Sequence, residues 1–109
     1  MTHAMIYKSS QGELVGFKTI GHSGYADEGS DIVCAAISML VINTINSLDQ
    51  FTDADCEVIT DEENAMISCM VQSCREVQKV QVLLQSLELG LNSVADSNPD
   101  YLLITVKEV

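Results

Sequence analysis

The sequence predicts a single α+β domain in which one mostly antiparallel β-sheet is covered by two helices. Five short segments rich in β-branched residues alternate with two long segments whose apolar residues recur every three or four positions. Their order is β-β-α-β-β-α-β, which favours a two-layer arrangement of sheet and helices. The 109 residues suit one domain spanning the whole chain.

Two strands and a glycine-rich loop are predicted for the first thirty residues. Residues 3–9 and 14–20 form the strands, and the turn between them contains Gly12, so the two strands are expected to pair as a hairpin. Residues 21–30 contain three glycines and no aliphatic side chain larger than alanine. This segment is longer than a hairpin needs and is expected to be a mobile loop that closes over a site.

A long helix is predicted to begin at Asp31, because an apolar stretch follows it and Asp31 or Ser30 suits the N-cap position. Its buried face is marked by apolar residues at helical spacing: Ile37, Val41, Ile45 and Leu48. The helix is expected to end between Asp49 and Thr52.

The second half repeats the pattern of two strands and a helix, and then adds a strand. The strands are predicted at residues 56–60, 65–71 and 101–106. The second helix is predicted to begin at Arg75, and Gly90 is expected to lie close to its C-terminal cap.

The charge of the chain predicts its partners. Sixteen acidic residues against five basic ones give a net charge of −11, which repels phosphate groups. Neither nucleic acid nor an anionic membrane is therefore an expected partner, whereas a basic protein is. The alternative is that the acidity only keeps a small domain soluble. No apolar run approaching bilayer length and no signal peptide are recognised in the sequence, so a cytoplasmic location is expected.

The four cysteines are Cys34, Cys56, Cys69 and Cys74. In a reducing compartment they are expected to remain thiols, and without a C-x-x-C pair they do not predict a zinc site. No metal and no cofactor are expected. Cys56 and Cys69 lie in strand segments, where cysteine usually acts as a small buried hydrophobe.

Cys34 and His22 are candidates for a nucleophile and its base. With Asp31 as the N-cap, Cys34 is in the first helical turn, where the helix dipole and backbone N–H groups favour the thiolate. His22 directly follows the second strand and could act as the base or the imidazolium partner, while amides of the same turn could stabilise an oxyanion. The alternative is that Cys34 only fills the core and His22 is an ordinary surface residue.

Other side chains could support this pair. The carboxylate of Asp31 would raise the thiol pKa by repulsion, unless it orients His22 as the third member of a triad; a capping role alone remains open. Ser38 follows Cys34 by one helical turn on the same face. Ser23 and Tyr25 could contact a substrate when the loop closes.

The motif Gly21-His22-Ser23-Gly24, followed by Gly29-Ser30-Asp31-Ile32-Val33-Cys34-Ala35-Ala36-Ile37-Ser38, resembles the signature of the bacterial ribosomal-processing cysteine protease family. The resemblance implies a cytoplasmic, homodimeric endopeptidase that removes a short N-terminal extension from a large-subunit ribosomal protein.

The resemblance also implies a role for each matched residue. Cys34 would be the nucleophile and His22 its base partner, with Asp31 and Ser38 supporting the site. The loop that contains Ser23, Gly24, Tyr25 and Gly29 would become ordered around the substrate.

Two alternatives of other classes remain at this stage. One is a non-enzymatic acidic protein that binds a basic ribosomal or assembly partner. The other is a thiol-based redox or acyl-transfer protein, in which Cys34 would form adducts without cutting a peptide bond.

Overall fold

The computed structural model describes residues 1–21 and 28–109, and their side chains except those of residues 28–31. The described elements follow the order β-β-α-β-β-α-β, which confirms the predicted fold class. They are β1 (Thr2–Lys8), β2 (Leu14–Ile20), α1 (Glu28–Phe51), β3 (Asp55–Asp61), β4 (Met66–Ser73), α2 (Val77–Ser97) and β5 (Leu102–Glu108).

The five strands form one sheet in the order β3-β4-β2-β1-β5. Among the described strands, three of the four pairs are antiparallel, and only β1 and β5 pair in parallel. Helix α2 connects β4 to β5 across one face of the sheet, and such a crossover leaves the two strands running in the same direction. Because β1 also runs in the direction of β4, β5 pairs with β1 in parallel. The sheet is therefore mixed but mostly antiparallel, and β2 lies at its centre.

The hydrophobic core lies between one face of the sheet and the inner faces of the two helices. The sheet contributes Ala4, Ile6 and Phe17, and the helices contribute apolar residues at the spacing predicted from the sequence. The buried apolar residues of the described helices are Val33, Ile37, Val41 and Leu48 of α1 and Val80, Leu84, Leu87 and Leu91 of α2. Ile45, which was predicted for the buried face of α1, is only half-buried.

Gly90 allows the two helices to approach each other closely. A Cβ atom at this position would lie 2.8 Å from Cδ2 of Leu40 in α1. The prediction that Gly90 lies near the C-terminal cap is wrong, because α2 continues to Ser97. Packing against α1, and not helix termination, explains the glycine.

Asp53 determines where α2 begins. Its carboxylate accepts hydrogen bonds from the backbone N–H of Arg75, at 3.1 Å to Oδ1 and 3.0 Å to Oδ2, and from that of Glu76 at 3.0 Å. The bond from Glu76 is the main reason that the pKa of Asp53 is below its ordinary value. Because Asp53 holds these two residues ahead of the helix, α2 begins at Val77 and not at the predicted Arg75.

Helix α1 differs from the sequence prediction at its start and in its hydropathy. It begins at Glu28, so residues 28–30, which were assigned to the loop, belong to the helix. The stretch Ile32–Phe51 has a mean hydropathy of 1.6 and is long and apolar enough to cross a bilayer. The statement that no apolar run approaches bilayer length is therefore wrong. A core helix has the same property, and the inner face of α1 is packed in the core.

Candidate active site

A cavity of about 440 Å³ lies between α1 and the end of the sheet where β2 stops and β3 turns into β4. This size is within the usual range for ligand sites, about 300–1,000 Å³. The helical wall consists of Cys34, Ile37, Ser38, Val41 and Ile42. The rest is formed by Thr2, Thr19, Gly21, Thr60 and Ile67 and by the turn residues Asp61, Glu62, Ala65 and Met66.

Gly21 fixes the end of β2 at this cavity. Its N–H donates a hydrogen bond to the carbonyl of Asn64 in the β3–β4 turn at 3.3 Å, and its carbonyl accepts one from Oγ1 of Thr2 at 3.3 Å. Its φ of +93° lies in the left-handed region, which favours glycine. The backbone immediately before His22 is thus attached to two walls of the cavity.

The β3–β4 turn is held by its own hydrogen bonds. Asp61 accepts one from Nδ2 of Asn64 at 2.7 Å and others from the backbone N–H of Glu63 and Asn64. The side-chain bond from Asn64 is the main reason that the pKa of Asp61 is below its ordinary value. The turn therefore keeps a negative charge beside the cavity at neutral pH.

Cys34 and Ser38 are brought together in the helical wall. They follow one another by one turn of α1, as the sequence predicted, and the side chain of Cys34 is half-buried whereas Ser38 is exposed. Ile37 and Val41, from the same helix, are almost fully buried beneath them. The cavity thus combines a thiol with an apolar wall.

The position of Cys34 relative to the helix start differs from the prediction. Because α1 begins at Glu28, Cys34 is in the second turn, and Asp31 lies inside the helix and is not its N-cap. The amide of Cys34 therefore belongs to the helical hydrogen-bond ladder, and the unpaired N–H groups are those of the first turn. The dipole effect is concentrated in the first turn, so the sequence argument, which placed Cys34 in that turn, does not apply to it.

The remaining predicted site residues are only partly described. His22, Ser23, Gly24 and Tyr25 lie outside the described residues. Gly29 and Asp31 lie in the first turn of α1, and their side-chain environment is not part of the described structure.

Sequence reasoning missed the sheet and turn walls of the cavity. Thr19, Asp61 and Ile67 reach it through strand pairing, and no local motif indicates that they do so. The alternation of β2 could have placed Thr19 on the core face, since Phe17 and Thr19 are both buried.

The three other thiols lie outside this cavity and are poorly suited to nucleophilic chemistry. Burial raises the pKa of Cys56 and Cys74, and it raises the pKa of Cys69 to about 12. Cys69 is fully buried, as predicted, whereas Cys56 is only half-buried.

Brief alkylation with substoichiometric iodoacetamide at pH 7.5 is expected to label Cys34 before the other three thiols. With a pKa of about 12 in place of 9.0, Cys69 holds about a thousandfold less thiolate than an ordinary cysteine. Peptide mapping by mass spectrometry measures the order of labelling, and unfolding in urea should equalise the four rates. Equal labelling of all four thiols in the folded protein would contradict the assignment of Cys34 as the reactive thiol.

Among the described residues, no group of three histidine, cysteine or acidic side chains is arranged to hold a metal ion.

Three comparisons relate this chain to known proteins. The family model described as "Cysteine protease Prp" matches residues 1–103. The Ribosomal processing cysteine protease Prp of Bacillus subtilis (strain 168) is 22% identical over 108 residues, which cover 96% of each chain.

Solved structures of similar chains share the fold over nearly their full lengths. SMU.848 from Streptococcus mutans superposes with a TM-score of 0.88 and 27% identity, covering 100% of this chain and 96% of its own. The essential ribosomal processing protease Prp from S. aureus, solved with a substrate peptide, gives a TM-score of 0.89 at 18% identity and covers 98% and 100%.

Proposed function

We propose a substrate and a mechanism for this chain, which belongs to the cysteine protease Prp family. Family membership decides between the classes left open by the sequence: the chain is a cysteine protease and not a non-enzymatic binding protein or a redox protein. In our proposal it is an endopeptidase that removes a short N-terminal extension from a large-subunit ribosomal protein. The observation that carries the proposal is the position of Cys34, which is the one cysteine in the wall of the cavity of about 440 Å³.

In the proposed reaction, Sγ of Cys34 attacks the carbonyl carbon of the scissile peptide bond. His22 accepts the thiol proton and donates it to the leaving amine as the C–N bond breaks, which leaves a thioester on Cys34. His22 then takes a proton from water, and the oxygen of that water attacks the thioester carbonyl. The C–S bond breaks, the carboxylic acid product leaves, and His22 returns the proton to the Cys34 thiolate. The position of Gly21 in the cavity wall supports this pairing, since His22 is the next residue.

Supporting roles are proposed for the other matched residues. Asp31, in the first turn of α1, orients His22. Ser38 borders the cavity beside Cys34 and contacts the peptide. Ser23, Gly24 and Tyr25 contact the bound substrate, and Gly29 adjoins them in the first turn of α1.

The charge of the protein supports a basic substrate. A net charge of −11 attracts a basic ribosomal protein at long range, while contacts within the cavity select the bond that is cut. We further propose that the protein acts in the cytoplasm as a homodimer. Exposed apolar side chains on the outer surface of the helices, including Ile32 and Leu89, support a surface that a second copy covers.

A cleavage assay on the ribosomal protein precursor from the same genome tests the proposed function. Intact-mass spectrometry is expected to show a single N-terminal truncation at an enzyme-to-substrate ratio well below one. A matched precursor that already lacks the extension should keep its mass and serves as the control. A full-length precursor that binds the protein but stays uncut would overturn the proposal for this substrate.

A further inference from the structure

The backbone just before His22 is held by hydrogen bonds that lie outside the sheet ladder. The pairing of β2 with β4 ends at Thr19. Beyond it, the N–H of Gly21 donates to the carbonyl of Asn64 at 3.3 Å, and the carbonyl of Gly21 accepts from Oγ1 of Thr2 at 3.3 Å. The position of the Asn64 carbonyl therefore helps to set the point from which the chain continues to His22.

The Asn64 carbonyl is in turn held in place by Asp61. The carboxylate of Asp61 accepts a hydrogen bond from Nδ2 of Asn64 at 2.7 Å. It also accepts from the backbone N–H groups of Glu63 at 3.1 Å and Asn64 at 3.4 Å. Hydrogen bonds to a charged group are the strong ones, so this carboxylate fixes both the side chain and the backbone of Asn64.

Ala65 shows that the β3–β4 turn depends on these bonds. Its φ of +48° lies in the left-handed region, where a side chain is strained and glycine is favoured. Its N–H donates to the carbonyl of Glu62 at 3.2 Å. A strained residue keeps such a conformation only when the surrounding structure fixes it. Without the bonds to Asp61 the turn would relax, and the carbonyl of Asn64 would move away from Gly21.

We propose that Asp61 is a positioning residue for catalysis, because through Asn64 and Gly21 it fixes the backbone that carries the base. This inference rests on the proposed function, in which His22 moves protons at Cys34, and adds the residue that places it. Asp61 touches none of the reacting atoms in this scheme. An error of about 1 Å in the position of a catalytic group can lower the rate about 100-fold, so a hydrogen bond one residue away from the base can control the rate.

Asp61→Ala is the first test, in steady-state cleavage of the ribosomal precursor. We expect kcat to fall about 10- to 100-fold and KM to change less than about threefold, because the cavity remains while the base is displaced. Glu63→Ala is the matched control, since it removes the same charge from the same turn. The side chain of Glu63 does not border the cavity and forms no bond within the described part of the chain. Equal falls in kcat for the two variants would overturn the proposal.

Asp61→Asn separates hydrogen bonding from charge. The amide that replaces the carboxylate can accept through its oxygen from the backbone N–H groups of Glu63 and Asn64. Its nitrogen can donate to the side chain of Asn64 once the Asn64 amide is turned over. This variant keeps the bonds and loses the charge, so it should retain at least about a third of the wild-type kcat. A loss as large as that of Asp61→Ala would assign the effect to charge and contradict the positioning role.

Alkylation of Cys34 tests the link to His22 and needs no peptide substrate. A base that accepts the thiol proton speeds the reaction with iodoacetamide, so His22→Ala and Asp61→Ala should each lower the rate at pH 7.5 about five- to tenfold. In the His22→Ala protein, the further change Asp61→Ala should lower the rate less than about twofold, because it acts only through that residue. Losses that multiply in the double variant would show that Asp61 acts by another route and would overturn the proposal.

The outcomes separate this inference from the proposed function. Coupled alkylation rates together with an uncut precursor would support the positioning role and contradict the proposed substrate. Cleavage of the precursor at the same rate by the wild-type protein and by Asp61→Ala would overturn the positioning role and leave the protease assignment intact. Far-UV circular dichroism of each variant confirms that the compared proteins are folded.

Discussion

Replacing Cys34 by alanine is expected to lower kcat/KM for cleavage of the ribosomal precursor by about 10⁴- to 10⁶-fold, the range seen when an active-site nucleophile or its partner is removed. Without Sγ no thioester can form, and the remaining cavity can only bind the peptide. Single-turnover cleavage followed by intact mass measures the loss. Cys34→Ser should recover only a small part of the activity, because a serine hydroxyl is a weaker nucleophile at neutral pH than a thiol.

Cys74→Ala is the matched control for this loss. Cys74 is also a half-buried thiol, but it follows β4 and does not border the cavity, so its removal should change kcat/KM less than about twofold. Both alanine variants should retain the thermal unfolding midpoint of the wild-type protein within a few degrees, which separates lost chemistry from lost structure. Cleavage by Cys34→Ala at the wild-type rate would contradict the assignment of the nucleophile.

The elements with strong local patterns could be predicted from the sequence. The strand at residues 14–20 was predicted with the bounds that the structure gives it, because a short run rich in β-branched and aromatic residues follows a turn that contains glycine. The end of α1 at Phe51 lies within the predicted range of Asp49 to Thr52. In both cases the residues that define the element are adjacent in the chain.

The errors arise where distant or featureless residues set the structure. Helix α1 begins three residues before Asp31, at positions that carry no apolar side chain and therefore no periodicity. The start of α2 depends on Asp53, which is 22 residues away from Arg75, and Gly90 depends on Leu40 of the other helix. A local pattern cannot contain such information.

The candidate site was also predictable only where its residues are close together in the chain. Cys34 and Ser38 share one helical face because they are four residues apart, and the sequence showed this. The sheet wall and the acidic turn were not predictable, because they reach Cys34 through the packing of α1 on the sheet. Strand pairing sets this geometry: Phe17 of β2 lies opposite Cys69 of β4, and Thr60 of β3 lies opposite Ile67.

Gly16→Ala is expected to destabilise the protein by about 2–3 kcal/mol, because it introduces an atom where the central strands are too close to accept one. A Cβ at Gly16 would lie 2.5 Å from the backbone carbonyl oxygen of Cys69 and 2.5 Å from Sδ of Met70. The Met70 side chain could rotate away, but the carbonyl oxygen is part of β4 and cannot move without shifting the strand. Urea unfolding followed by circular dichroism measures the change in the free energy of unfolding.

Gly90→Ala is the matched control, since it adds the same methyl group to another crowded glycine. Its Cβ would meet only the side chain of Leu40, which can change rotamer, and alanine favours a helix interior over glycine by about 1 kcal/mol. We therefore expect Gly90→Ala to change the free energy of unfolding by less than about 1 kcal/mol. Gly16→Ala should also lower cleavage at temperatures where it remains folded, because β4 leads from the turn that borders the cavity. Equal stability of the two variants would contradict the view that close packing of β2 against β4 positions the β3–β4 turn.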